Sequence, residues 1–136
     1  MMKEIEQVKI SYSIFVEKDN GTKVNYFLFP EFEIHENLIP KQSIQDWHQH
    51  SNIEEVIVIT SGAICIEVIN EKTSEIKTYN AIDGDVIRVR HSIHRLTNKS
   101  QLDAKFIVFR FVPDGCDKSS IIKNDKIDFD CKYLNE

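Results

Sequence analysis

Up to residue 112, apolar and polar positions alternate over short stretches, each closed by turn-forming residues. Such period-two runs predict half-buried strands, because successive side chains on a strand point to opposite faces. Residues 8–16 predict a first strand, and Asp19-Asn20-Gly21 a tight turn, since Asn and Gly accept a positive φ. Residues 24–29 and 32–39 follow, punctuated by Pro30 and Pro40. Residues 55–60 form a β-branched run, Ser61-Gly62 a turn, and residues 63–70 place Ile64, Ile66 and Val68 on one face. Beyond a polar turn at 70–74 come strands at 75–79, at 86–90 after Asp83-Gly84-Asp85, and at 102–112. No stretch before residue 113 keeps a 3.6-residue period over a helix length. The pattern predicts an all-β sandwich or barrel rather than βαβ units. Past Pro113-Asp114-Gly115 the chain turns polar, with Ile121, Ile122, Ile127 and Phe129 as isolated apolar anchors. Residues 114–136 are therefore expected to be a short polar tail that packs against the barrel or a neighbouring subunit.

Composition narrows the partners. A chain of 136 residues, 41% hydrophobic and 29% charged, suits one domain (1–136) with a real core. Its net charge of -5 argues against nucleic acid and anionic membranes, both of which reward clustered Lys and Arg. The N-terminal Met-Met-Lys-Glu-Ile-Glu-Gln lacks the apolar stretch of a secretory signal, and the apolar run 56–59 is too short to span a bilayer. Cys65, Cys116 and Cys131 are odd in number and have no C-x-x-C spacing, so free thiols in a reducing compartment are expected. The expected location is the cytoplasm.

The candidate chemistry is carried by histidine. His48-Gln49-His50 sets two imidazoles at i and i+2, which on a strand share one face. Glu54 and Glu55 open the next apolar run, and His94 lies beyond the strand at 86–90. Three histidines and a carboxylate can surround one divalent ion, and that donor set suits iron, manganese, nickel or zinc better than calcium or magnesium. Strand alternation puts Glu55 with Ile57 and Ile59, and Glu54 with Val56 on the other face; if the first face is interior, Glu55 enters the barrel and Glu54 faces solvent.

His48-x-His50-x4-Glu55-x6-Gly62 resembles the first motif of the cupin superfamily, and Gly84 together with His94-Arg95-Leu96-Thr97-Asn98 resembles the second. The likeness covers roughly residues 40–112. It implies a double-stranded β-helix, a jelly-roll barrel, with a divalent transition-metal ion on His48, His50, Glu55 and His94. Counting back from Gly62 as the motif does also selects Glu55 over Glu54. Gln42 or Ser43 stands where the first motif opens with glycine, and Arg90-His91-Ser92 replaces the proline-glycine turn of the second. Gly84 to His94 is also one residue shorter than the motif, so the turn presenting His94 must be built differently, with His91 as the competing ligand.

His35 has no such company and reads as an ordinary strand residue. Arg88, Arg90, Arg95 and Arg110 can grip an anion through the guanidinium fork, although such residues are usually solvated strand-face charges. If Phe109 and Phe111 fill the barrel, Arg110 points out. Tyr12, Tyr26, Phe27, Phe29 and Trp47 serve equally as pocket wall or as sheet packing, and Asn98 is expected to fix its loop by hydrogen bonding. The resemblance implies a metalloenzyme acting on a small oxygen-bearing metabolite, with dioxygenase, isomerase and related chemistries open and no catalytic residue assigned. The alternative is a non-catalytic, sugar-like binding or sensor module with a structural metal. His94–Asn98 is also similar to a segment in the cupin part of bacterial mannose-6-phosphate isomerase/guanylyltransferase proteins. Cupins commonly dimerise by exchanging edge strands, which implies a homodimer built through residues 1–16.

Overall fold

The computed structural model describes residues 4–130. Cys131, the last residues of the polar tail and the first three residues of the segment expected to exchange between subunits lie outside it. Ten strands are present among the described residues: β1 Ile14–Glu17, β2 Lys23–Leu28, β3 Phe32–Ile39, β4 Ser43–Ile44, β5 Glu54–Ser61, β6 Ala63–Ile69, β7 Ile76–Ile82, β8 Val86–Arg88, β9 Ile93–Asn98 and β10 Ala104–Phe111. They form two antiparallel sheets, one ordered β1-β2-β3-β10-β5-β8 and the other β4-β9-β6-β7. Strands far apart in sequence are neighbours in each sheet, as in a jelly roll rather than a meander.

Alternation explains the core. Ala104, Phe106 and Val108 on β10 face Ile57 and Ile59 of β5 and Ile39 of β3, and the other sheet answers with Ile64, Ile66 and Leu96. Each such side chain, taken fully out of water, contributes about 1.5–3 kcal/mol. At the β5–β6 corner Gly62 adopts φ +91 and lies against Ala104, and its N–H donates to Asp83 Oδ1 at 2.6 Å. Asn98, fully buried, pins the β9–β10 loop: its Nδ2 donates to the carbonyls of Ile39 and Leu102, and its Oδ1 accepts from Ser100 N and Oγ.

Several local expectations are corrected. Residues 8–16 do not form one strand; Ile10–Tyr12 is a 3-10 turn and only Ile14–Glu17 pairs, on an exposed edge. The strand expected at 86–90 stops at Arg88, because Arg90 takes a left-handed φ of 57, which leaves the extended ladder. His48 and His50 do not sit on a regular strand, since the backbone between β4 and β5 makes only one bridge, from His48 to His94. The described part of the tail contains a short helix α1, Ser119–Asn124, and its expected anchors Ile121, Ile122, Ile127 and Phe129 are not packed on the barrel but 69–90% exposed. Cys65 and Cys116 are free thiols. No helix among the described residues is long and apolar enough to cross a membrane.

Candidate metal centre

The two motif halves meet through the backbone. His48 and His94 exchange N–H to carbonyl hydrogen bonds of 3.0 and 2.9 Å, so the loop carrying His48 and His50 is stitched to the strand carrying His94. This bridge, rather than a shared strand, brings the imidazoles together. One ring nitrogen from each of His48, His50 and His94 lies within 4.8 Å of the others. His91, the competing residue, is exposed, and its carbonyl accepts from Gln49 Nε2 at 3.0 Å. The shortened turn before His94 closes through the left-handed Arg90 and a bond from Ser92 Oγ to the Val89 carbonyl.

Two of the three rings are fixed in a ligating tautomer. His48 Nδ1 lies 2.9 Å from the Asp46 carbonyl, and His94 Nδ1 lies 2.9 Å from the Ser92 carbonyl. A carbonyl only accepts, so each Nδ1 carries a proton, and Nε2 is the nitrogen left to ligate when the ring is neutral. His94 Nε2 is buried with no hydrogen-bond partner, a position that costs free energy unless something coordinates it. Burial pushes the His94 and His50 imidazoles below their ordinary acidity range and so favours the neutral, ligating form. A cluster of three imidazole nitrogens fits a divalent transition ion.

Glu55 takes the interior face as alternation requires, beside Ile57 in a cavity of about 570 Å³ that also holds His48, His50 and Arg110. Its Oε2 lies 2.7 Å from His50 Nε2, off the line that a hydrogen bond needs, and accepts from Arg110 Nη2 at 3.2 Å. Glu55 thus stands beside the three imidazoles with one oxygen shared between His50 and Arg110. Glu54 does occupy the opposite face, but it is 8% exposed rather than solvated, because Arg88 covers it with bonds of 2.8 and 3.1 Å.

Arg110 is the largest correction to the sequence reading. It points into the cavity, while Phe109 packs outside with Phe32 and Phe111. The β10 register explains this. Ala104, Phe106, Val108 and Arg110 share the interior face, and Arg110 stands between Glu33 of β3 and Glu55 of β5. His35 also turns out to be a cavity residue, 4% exposed, packed edge-on against Tyr26 and 2.8 Å from Glu33 Oε1. The signal available in the sequence was its i−4 relation to Ile39, itself followed by Pro40 at the strand end. The other arginines face away: Arg88 covers Glu54, and Arg95 bonds Glu67 and stacks 4.4 Å over Trp47.

His35 makes the fold sensitive to acid. Burial first, and then the Arg110 charge, hold its imidazole below the usual range against the opposing pull of Glu33 and Glu55. The unfolded chain takes up a proton on this residue near pH 6.5, where the folded chain does not. Between that pH and the lower folded value the unfolded state binds more protons, so this contribution is present above pH 6.5 and is lost as pH falls. Melting temperature should fall from pH 6.5 to 5, and His35→Gln should flatten that slope. A variant profile parallel to wild type would exclude His35 as a contributor.

No protein-family model and no curated protein matches the sequence. Solved structures do. One described as a predicted oxalate decarboxylase from Thermotoga maritima superposes with a TM-score of 0.66 at 16% identity, covering 79% of this chain and 100% of that one. The Schizosaccharomyces pombe Cnp3 cupin domain gives 0.63 at 13%, covering 90% and 82%. The capsular polysaccharide assembling protein CapF of Staphylococcus aureus gives 0.65 at 17%, covering 74% of this chain, which spans only 31% of CapF. At these identities the likeness establishes the fold: the chain is a cupin-type double-stranded β-helix whose three-histidine cluster can hold a metal ion.

Proposed function

We propose that this chain is a metal-dependent cupin enzyme acting on a small oxygen-bearing metabolite. His48, His50 and His94 would hold one divalent transition ion, and Glu55 would supply a fourth donor. The observation that carries this reading is the buried, unpartnered His94 Nε2, aimed with its lone pair into a cluster of two more imidazoles. When bound, such an ion polarises a carbonyl or enolate oxygen, or activates oxygen if it is iron. The chain's own residues do the rest. The Asp46 and Ser92 carbonyls hold two rings in their ligating tautomer, and Arg110 restrains Glu55. The cavity is of a size that takes a small metabolite.

The reading extends to assembly. β1 forms an edge of the larger sheet, with Ile14 and Phe15 55% and 57% exposed, and a second copy laid along it would cover both the edge and those side chains. A cytoplasmic location fits the free Cys65 and Cys116.

Elemental analysis of protein purified without added metal tests the central claim. About one iron, manganese, nickel or zinc per chain is expected in wild type, and a large loss in the His48→Ala/His50→Ala double variant. Equal, negligible metal in both would sink it. Iron in the wild type would direct the search to oxygen uptake, and zinc or nickel to isomerisation.

A further inference from the structure

The cavity holds a charged group with donors beyond the one that it gives to Glu55. Arg110 projects from β10 into the same space, and of its five N–H donors only one, on Nη2, is committed, to Glu55 Oε2 at 3.2 Å. The Arg110 side chain is 31% exposed, and its Nε is buried with no partner. It lies close to the imidazoles, because the same Glu55 oxygen touches both Arg110 Nη2 and His50 Nε2. Tyr26, His35 and Asn37 make the adjoining wall, and His35 is already occupied by Glu33.

Charge decides what this arrangement accepts. Without an ion, the charges of Arg110 and Glu55 cancel beside the three imidazoles. A divalent ion on those imidazoles leaves net positive charge in the site, because Glu33, the other carboxylate in register with Arg110, is turned to His35 and offsets only part of it. A neutral ligand leaves that charge in place, whereas an anion both cancels charge and satisfies free guanidinium donors. Lys18, Asp19 and Asp46 also line the cavity, at its exposed end, where water screens them.

We infer that Arg110 is a specificity-determining residue that selects small carboxylates, holding the carboxylate while a neighbouring hydroxyl or carbonyl oxygen faces the three-histidine centre. The inference rests on the proposed metal reading and names the substrate class of that site. The short distance from guanidinium to imidazole, bridged by one carboxylate oxygen, suits a 2-hydroxy or 2-oxo acid better than a longer chain.

The test uses lactate and its neutral isostere lactamide, titrated by calorimetry into the full chain loaded with Co(II), whose visible absorption reports metal binding separately. Wild type should bind lactate about tenfold or more tighter than lactamide. Arg110→Gln should still take up Co(II) through the three imidazoles, with an affinity lowered only as far as Glu55 loses its restraint, but bring that ratio close to one, and Arg110→Lys should keep part of it. A wild type that does not distinguish the pair, or an Arg110→Gln variant with an unchanged ratio, overturns the inference. If Arg110→Gln fails to fold, the wild-type ratio and the Arg110→Lys variant decide. If Co(II) does not bind wild type, the metal reading fails by itself. The same pair is then titrated into the metal-free chain, where an Arg110-dependent preference for lactate sustains the carboxylate site and its absence removes it.

Discussion

Replacing His94 with Gln is expected to lower the affinity for a divalent ion by more than about a hundredfold, beyond what loss of an outer-sphere partner produces. His94 is 1% exposed, its Nδ1 proton is tied to the Ser92 carbonyl, and its Nε2 has no partner. Glutamine keeps much of the volume and can still donate to a carbonyl, so the barrel should stay folded while the lone pair of the imidazole is gone. Alanine would remove the metal equally but would also open a void beside Leu96 and leave the Ser92 carbonyl without this donor, which mixes stability with binding. Competition against a chelator of known affinity, with circular dichroism on the same samples, separates the two effects. A folded His94→Gln variant that binds Zn(II) or Co(II) as tightly as wild type would show that His94 is a core histidine and not a ligand.

Gly62→Ala should lower stability by about 2–4 kcal/mol, or roughly 10 °C in melting temperature. Two costs combine at this corner. The residue holds φ +91, a region that L side chains rarely adopt, and an added Cβ would sit 3.0 Å from Ala104 Cβ, 3.1 Å from Ala104 Cα and 3.2 Å from the Asp103 carbonyl oxygen. Those neighbours are backbone or nearly so, and they cannot swing away. Gly84 provides the control: it holds φ +89 with nothing within 4 Å of an added Cβ, so Gly84→Ala should cost only the conformational part, about 1 kcal/mol. Chemical denaturation of the two variants side by side measures the difference. Equal losses would mean that the Gly62–Ala104 approach relaxes freely and the corner is not tight.

The residues that the sequence placed correctly share a cause. Ile57, Ile59, Ile64 and Ile66 are buried where alternation put them, and Glu55 shares the interior face of β5 with Ile57 and Ile59. A strand's two-residue period converts position directly into face, so polarity along the chain is enough to say which side is core. The same logic read Asn98 as a loop anchor, and its four hydrogen bonds bear that out.

Period alone failed where the deciding partner is remote. For Arg110 the alternation was visible, but which face of β10 is interior depends on Glu33 and Glu55, 77 and 55 positions earlier, lying in register beside it. His35 looked like an ordinary strand residue because nothing local marks a cavity wall; Tyr26 and Glu33 make it one only after β2 and β3 pair. Even His48 and His50 converge for a reason other than the expected strand, through a backbone bridge to His94. Sequence by itself determined most of the strands, though not β4 or the β9 that carries His94, together with the buried face and the kind of donor atoms available. Tertiary structure decided which of those donors meet and which charge stands beside them, because antiparallel register joins positions whose separation along the chain carries no signal.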